Sequence, residues 1–196
     1  MNVSATYTIA LSGPSFDVMD VIALLSEEIP NQQCFSNYEL TNRFSDDADE
    51  DDDFDSTLLH REELLEIRNT NTCAWLEDIE AQAKKIVRIS SEVTFCISGH
   101  IEDRVSDDLM NFTVRYNGKQ LTSQHSDWYV HIHMRDFRDY QHFCRKFSDR
   151  YGCPRYTQED YDAFCECADE WYVMNSGQGE FSNDVPLCDP VKIRLK

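Results

Sequence analysis

The stretch Leu109–Leu121, LMNFTVRYNGKQL, decides the fold class that we predict for this chain. Its apolar residues alternate with polar ones, which is the period of two expected of a β-strand with one buried face. These apolar residues are Met110, Phe112, Val114 and Tyr116. The dipeptide Asn117-Gly118 follows directly and suits a type I′ turn between antiparallel strands. We therefore predict an antiparallel hairpin in which the chain returns over residues 119–121.

Further strands and helices are predicted on both sides of this hairpin. Alternating apolar residues predict strands over Met1–Leu11, 93–97, 128–134 and Val191–Leu195, with Ser12-Gly13-Pro14 as a turn after the first. Apolar residues at helical spacing predict helices over 16–29, 57–68, 73–88, 137–148 and 158–173. Thr157 and Asp160 resemble a capping box at the start of the last helix. Helices segregated from an antiparallel meander predict the α+β class, with a ferredoxin-like style of sheet and the helices packed on one face.

Composition divides the chain into four segments, which we predict to form one compact domain. Residues 1–45 are an N-terminal strand–helix segment, 46–56 an acidic loop, 57–155 a helix–meander–helix core and 156–196 an acidic C-terminal helix and tail. The chain has 196 residues, of which 41% are hydrophobic and 12% aromatic, enough to bury a sizeable core.

The helix–meander–helix pattern over residues 72–150 resembles the ferredoxin-like domain of phage and plasmid Api92-like proteins. The resemblance implies a similar small α+β domain. It rests on the order of elements, so it transfers no site residue to this chain.

The net charge and the cysteine content limit which partners and which cellular compartment we expect for the chain. The formal net charge of −19 opposes binding to nucleic-acid phosphates and to anionic membranes, and it favours a basic partner or a divalent cation. The N-terminus lacks the pattern of a signal peptide, and its longest apolar run, Val21–Leu25, is too short to span a bilayer. We therefore predict a cytoplasmic chain whose eight cysteines are free thiols.

The run Asp46–Asp55, DDADEDDDFD, is the strongest departure from ordinary composition, because eight of its ten residues are acidic. Carboxylates recur in the last predicted helix, where spacings of three and four residues bring them about 5–6 Å apart, commensurate with a row of phosphates. The candidate partner-binding residues are Asp46, Asp47, Asp49, Glu50, Asp51, Asp52, Asp53, Asp55, Glu159, Asp162, Glu166, Asp169 and Glu170. One short basic segment, residues 135–155, either pairs with these acids or forms a separate patch.

These features favour a non-enzymatic inhibitor or decoy that binds a basic nucleic-acid-binding protein, such as a defence nuclease, by nucleic-acid mimicry. In size and charge the chain resembles anti-CRISPR and antirestriction proteins of phages and mobile elements, and this resemblance carries no residues over. The sequence lacks the motifs GxSxG, GxxxxGK[ST] and HExxH that mark common hydrolase, nucleotide and zinc-protease sites. We predict no catalytic residue, no cofactor, no direct nucleic-acid binding and no membrane binding.

An alternative function is that of a calcium-binding interaction module. Asp51, Asp53, Asp55 and Glu62 fall at positions one, three, five and twelve of an EF-hand loop. Position six is Ser56 instead of glycine, and the exiting helix would be the one predicted over 57–68.

Two zinc sets also remain open. His131 and His133 share one face of a predicted strand, where His142 or a cysteine would complete a site. The other set is Cys153, Cys165 and Cys167 with Cys144 or Cys188, although no CxxC pair occurs. In a third functional hypothesis the acidic residues serve solubility alone, and binding uses exposed aromatic rings such as Trp128, Tyr129 or Trp171.

Overall fold

A central strand, β1 (Val3–Pro14), organises the computed structural model of the chain, because it pairs along most of its length on both sides. The structure describes residues 3–28, 34–37, 60–68, 75–103, 105–106, 108–151, 156–168, 170–174, 181–182 and 184–195. The other elements are α1 (Ser15–Glu28), β2 (Cys34–Asn37), β3 (His60–Arg68), α2 (Leu76–Ile89), β4 (Thr94–Asp103), β5 (Asp108–Tyr116), β6 (Leu121–His125), β7 (Tyr129–His133), a 3-10 turn (Met134–Asp136), α3 (Tyr140–Tyr151), α4 (Gln158–Cys167), β8 (Glu170–Met174), β9 (Phe181–Ser182) and β10 (Val191–Ile193).

The strands in these parts of the chain form one ten-stranded sheet. Its order is β2-β3-β1-β4-β5-β7-β8-β9, while β6 pairs with β5 and β10 pairs with β6. Each pair of neighbours is antiparallel. The sheet therefore joins strands from the N-terminal segment, the predicted core and the C-terminal tail.

The helices α1 to α4 lie on one face of this sheet. The alternating residues Val3, Ala5, Tyr7, Ile9 and Leu11 of β1 are buried in a cluster that also includes Val18 of α1 and Ile79 of α2. A second cluster joins Val130 and Ile132 of β7 to Phe143 of α3 and Tyr161 of α4. Because Leu109 pairs with Tyr129, the register places Val130 and Ile132 on the same face as Met110. The predicted α+β class, with an antiparallel sheet and helices on one face, is confirmed.

The predicted hairpin is present, but its loop is longer than a type I′ turn allows. Tyr116 pairs with Leu121, so the loop spans residues 117–120. The side-chain oxygen of Asn117 accepts hydrogen bonds from the backbone N–H groups of Lys119 and Gln120, at 3.1 and 2.9 Å. This register buries Leu121 against the core, whereas pairing Lys119 with Tyr116 would turn the lysine inward.

Three predicted elements differ from the structure. The helix over 57–68 was wrong where the structure describes it, because residues 60–68 form β3 between β1 and β2. The predicted turn at Ser12–Pro14 is instead the last part of β1, where Gly13 pairs with Arg61. The helix over 158–173 ends at Cys167, and the chain resumes as β8.

The face of the sheet opposite the helices is polar. Register places Thr6, Thr8 and Ser12 of β1 on this face, beside Ser98 and His100 of β4 and Asn111 and Thr113 of β5. We call it the open face. His131 and His133 lie on the same side, because they are two and four residues after Tyr129, which pairs with Leu109 of the open face. Glu170 joins them because it pairs with His133.

Candidate functional site

Two histidines of β7 form the nucleus of the candidate site. His131 and His133 are two residues apart on a strand, so both side chains point from the open face, as the sequence predicted. Their side chains are 30% and 28% exposed, and their ring centroids are 4.4 Å apart. The imidazoles are thus adjacent and reachable from solvent.

Glu170 of β8 completes the group. It pairs directly with His133 in the sheet and lies diagonally across from His131. Its Oε1 is 3.5 Å from Nδ1 of His133, and its Oε2 is 3.4 Å from Nε2 of His131. His133, directly opposite Glu170, therefore approaches it through Nδ1, the ring nitrogen nearer the backbone. His131, on the diagonal, approaches it through Nε2, the nitrogen farther from the backbone. One potential ligand atom from each of the three residues lies within 4.8 Å of the others.

Aromatic side chains hold the histidines in place. The ring of Tyr172 stacks on His131 with centroids 5.0 Å apart and an interplanar angle of 23°. Tyr129 meets Tyr172 edge-on at 5.4 Å, and its hydroxyl donates a hydrogen bond to Oδ1 of Asn111 at 2.7 Å. Burial raises the pKa of Tyr129, and the nearby Tyr172 raises it further. Tyr129 therefore stays a neutral hydrogen-bond donor that braces the site.

The ring nitrogen Nε2 of His131 is buried. Among the residues that the structure describes it has no hydrogen-bond partner, since its contact with Glu170 does not meet hydrogen-bond geometry. Buried polar atoms are normally satisfied by protein or water, or coordinate a metal. Nε2 of His131 faces Oε2 of Glu170 at 3.4 Å without a hydrogen bond between them.

The structure does not add the predicted third zinc ligands to this pair. His142 lies on α3, where its Nδ1 accepts a hydrogen bond from the backbone N–H of Arg138 at 3.3 Å. Cys144, Cys165, Cys167 and Cys188 are free thiols, and Cys153 lies outside the described residues. Among the described residues, no cysteine belongs to a group of three potential metal ligands.

The predicted acidic surface divides into separate parts. Glu159, Asp162 and Glu166 are exposed on α4 at spacings of three and four residues, so they form one row. Glu170 lies instead with the two histidines. The run 46–55 and Asp169 lie outside the described residues.

The calcium hypothesis loses the helix that an EF-hand needs after its loop. Glu62 lies on β3, paired with Ser12, and its side chain is 62% exposed. Asp51, Asp53 and Asp55 lie outside the described residues. Without an exiting helix, the EF-hand spacing of these four residues no longer corresponds to EF-hand geometry.

The aromatic residues that the third hypothesis needs on the surface are largely covered. Tyr129 is buried, and Trp128 packs against the main core. Trp171 packs against the second core, and its Nε1 donates hydrogen bonds to the backbone oxygens of Phe164 and Ala168. These rings serve the fold.

Comparison of the chain with protein-family models, with curated proteins and with solved structures found no match. Among the helices that the structure describes, none has the length and apolarity needed to cross a membrane.

Proposed function

We propose that the chain is a non-enzymatic acidic inhibitor that binds a basic nucleic-acid-binding protein in place of its nucleic acid, in the manner of anti-CRISPR or antirestriction proteins. The observation that carries this proposal is the exposed row of Glu159, Asp162 and Glu166 on α4, in a chain of net charge −19. A surface of this sign repels nucleic acid itself and attracts a phosphate-binding groove.

The spacing of the row suits such a groove. At about 1.5 Å of rise per residue, the seven-residue separation of Glu159 and Glu166 is about 10 Å along the helix axis. One strand of a duplex places about three phosphates over that length. The three carboxylates can therefore meet basic side chains that are spaced to bind consecutive phosphates.

The row is also held rigidly. Thr157 caps α4, and the Asp160 carboxylate accepts hydrogen bonds from the backbone N–H and the hydroxyl of Thr157, at 2.7 and 2.8 Å. Tyr161 anchors the opposite side of the helix in the second core. A preorganised row loses little conformational freedom on binding.

The acidic run 46–55 and Asp169 belong to the same proposal through their charge alone. Their role is to attract the basic partner at long range, which raises the association rate at low salt. Replacing the acids of the run with Asn and Gln is expected to slow association and to flatten its salt dependence.

The experiment is affinity capture of host proteins at low salt and at about 0.5 M NaCl, followed by binding kinetics with the purified partner. The test variant combines E159Q, D162N and E166Q. A matched control, D20N with E77Q and E92Q, removes the same charge from exposed positions off α4. We expect a basic nucleic-acid-binding partner that competing duplex DNA displaces, and an association rate reduced about tenfold or more in the α4 variant alone.

Two results would overturn the proposal. One is a partner whose binding is insensitive to salt and to competing nucleic acid. The other is an α4 variant that associates as fast as the matched control, which would leave net charge as the only contribution of these carboxylates.

A further inference from the structure

We propose that His131, His133 and Glu170 form a binding site for one divalent transition-metal ion of the Zn²⁺ type. Two imidazole nitrogens with one carboxylate oxygen are a ligand set that suits Zn²⁺ and its first-row neighbours. Ca²⁺ and Mg²⁺ prefer oxygen ligands alone, and Cu⁺ prefers sulfur. This site is independent of the acidic row on α4.

The three side chains are close enough to share one metal ion, because one potential ligand atom from each lies within 4.8 Å of the others. Zinc bonds of about 2.0–2.2 Å to nitrogen and oxygen place neighbouring tetrahedral ligand atoms about 3.3–3.6 Å apart. Nε2 of His131 is 3.4 Å from Oε2 of Glu170, and Nδ1 of His133 is 3.5 Å from Oε1. Each imidazole therefore already lies at a tetrahedral-edge distance from one oxygen of the carboxylate.

The hydrogen bonding and charge of His131, His133 and Glu170 also favour binding of a cation. A metal at this position would satisfy the buried Nε2 of His131, which has no hydrogen-bond partner within the described part of the chain. It would also neutralise the Glu170 carboxylate, which lies against both imidazoles. The stacked ring of Tyr172 and the pairing of β7 with β8 fix the ligands before the metal arrives.

Three protein ligands leave one tetrahedral position open. Structural zinc sites usually close all four positions with protein ligands, whereas sites that exchange a ligand keep one for water. The Glu170 side chain is 52% exposed and the site lies on the open face, so the fourth position is accessible to solvent. We assign that position to water or a small anion.

The test uses the full chain, stripped of metal with a chelator and kept reduced. Zn²⁺ is titrated by calorimetry in the presence of millimolar Mg²⁺, which occupies weak carboxylate sites in the acidic run. Co²⁺ serves as a spectroscopic probe, because thiolate ligands give strong near-ultraviolet charge-transfer bands that histidine and carboxylate ligands do not. We expect one Zn²⁺ per chain and a Co²⁺ spectrum without thiolate bands.

The variants are H131Q, H133Q and E170Q. Each removes one ligand, and each is expected to weaken Zn²⁺ binding by at least about tenfold, since even loss of an outer-sphere partner costs that much. His100→Gln is the matched control, because it removes another imidazole from the open face, on β4. It should bind Zn²⁺ as the parent chain does.

Thermal unfolding without metal shows whether each variant is folded. The half-exposed Glu170 makes E170Q the safest variant, and metal-induced shifts of the imidazole NMR signals in the parent chain test the same ligands without substitution. Unchanged Zn²⁺ affinity in E170Q, a thiolate-type Co²⁺ spectrum, or no binding at about 100 µM Zn²⁺ would each overturn the proposal.

Discussion

At Gly99 strand β4 runs so close to β1 that a side chain has no room. A Cβ atom there would lie 2.1 Å from the backbone oxygen of Thr6 and 2.6 Å from the Cα of Tyr7. Gly99 pairs with Tyr7 on one side and Phe112 on the other, and the two rings meet edge-on across it with centroids 6.1 Å apart. Because Gly99 has no side chain, the rings of Tyr7 and Phe112 can meet above it and fill the space that a side chain would occupy.

We therefore expect Gly99→Ala to lower the free energy of unfolding by roughly 1–3 kcal/mol, since the backbone of β1 must move. Urea unfolding measures this change. Gly118→Asn is the control, because Gly118 has a φ of 83°, a conformation that asparagine tolerates, and a Cβ atom there would lie at an ordinary contact distance of 3.8 Å from Cγ2 of Thr94. A stable Gly99→Ala chain would mean that β1 and β4 separate at little cost.

A buried ion pair on β3 makes the second prediction at this scale. The side chain of Glu63 is 2% exposed and faces the helices beside Leu11, and Arg61 pairs with its Oε1. Arg61→Met should destabilise the chain by about 3 kcal/mol, because it leaves a buried carboxylate without a counter-ion. The double variant R61M with E63L should recover most of that loss. A double-mutant cycle by chemical denaturation tests this, and additive losses would contradict it.

Residue patterns predicted two of the three residues of the histidine–carboxylate group, His131, His133 and Glu170. Strand alternation placed His131 and His133 on one face, but Glu170 was assigned to a helix, so its position opposite His133 was missed. Register between distant strands depends on packing of the whole sheet. The run Trp171, Tyr172 and Val173 after Ala168 did carry a strand signal, because aromatic and β-branched residues favour strands.

At the scale of elements, β3 shows why local preference failed. Its sequence, HREELLEIR, is rich in Glu, Leu and Arg, which favour helix in isolation. In the fold these residues pair with β1 over nine positions and with β2 over four. Tertiary pairing overrides a helix preference of a few tenths of a kcal/mol per residue. Helix α2 was predicted well because its amphipathic face, Ile79, Ala83 and Ile86, meets the same core that the pattern anticipated.

The capping box of α4 gives a prediction with a defined pH dependence. Hydrogen bonds from the backbone N–H and the hydroxyl of Thr157 hold the pKa of Asp160 below its usual value. A lowered pKa in the folded state means that the carboxylate stabilises the fold above its unfolded-state pKa, and that this stabilisation is lost as pH falls through the folded-state pKa. Asp160→Asn should therefore be less stable than the parent chain at pH 7, with the difference shrinking in acid.

Thermal melts of both chains between pH 7 and pH 2 measure this difference. Asp162→Asn is the control, since Asp162 is exposed on the same helix and lies outside the capping box. A difference between parent and Asp160→Asn that persists undiminished at the lowest pH would show that the carboxylate charge is not what stabilises the cap.

At the scale of the whole molecule, the net charge of −19 opposes the compact state. Folding brings the carboxylates closer together than they are in the unfolded chain, so their repulsion destabilises the fold. Salt shortens the range of this repulsion, with a Debye length of about 30 Å at 0.01 M and about 8 Å at 0.15 M. We expect the melting temperature to rise between 0.01 and 0.5 M NaCl by at least about 2–4 °C, which is about 1 kcal/mol for a chain of this size.

A variant in which the acids of run 46–55 are neutralised separates the repulsion due to this run from that due to the other carboxylates. If the run contributes as its charge density implies, that variant begins with a higher melting temperature at low salt and gains less from added NaCl. Chelator in every sample keeps metal binding at His131, His133 and Glu170 from adding its own stabilisation. A melting temperature that falls as NaCl is added would contradict the expectation, because it would mean that attractive ion pairs on the surface outweigh the repulsion among the excess carboxylates.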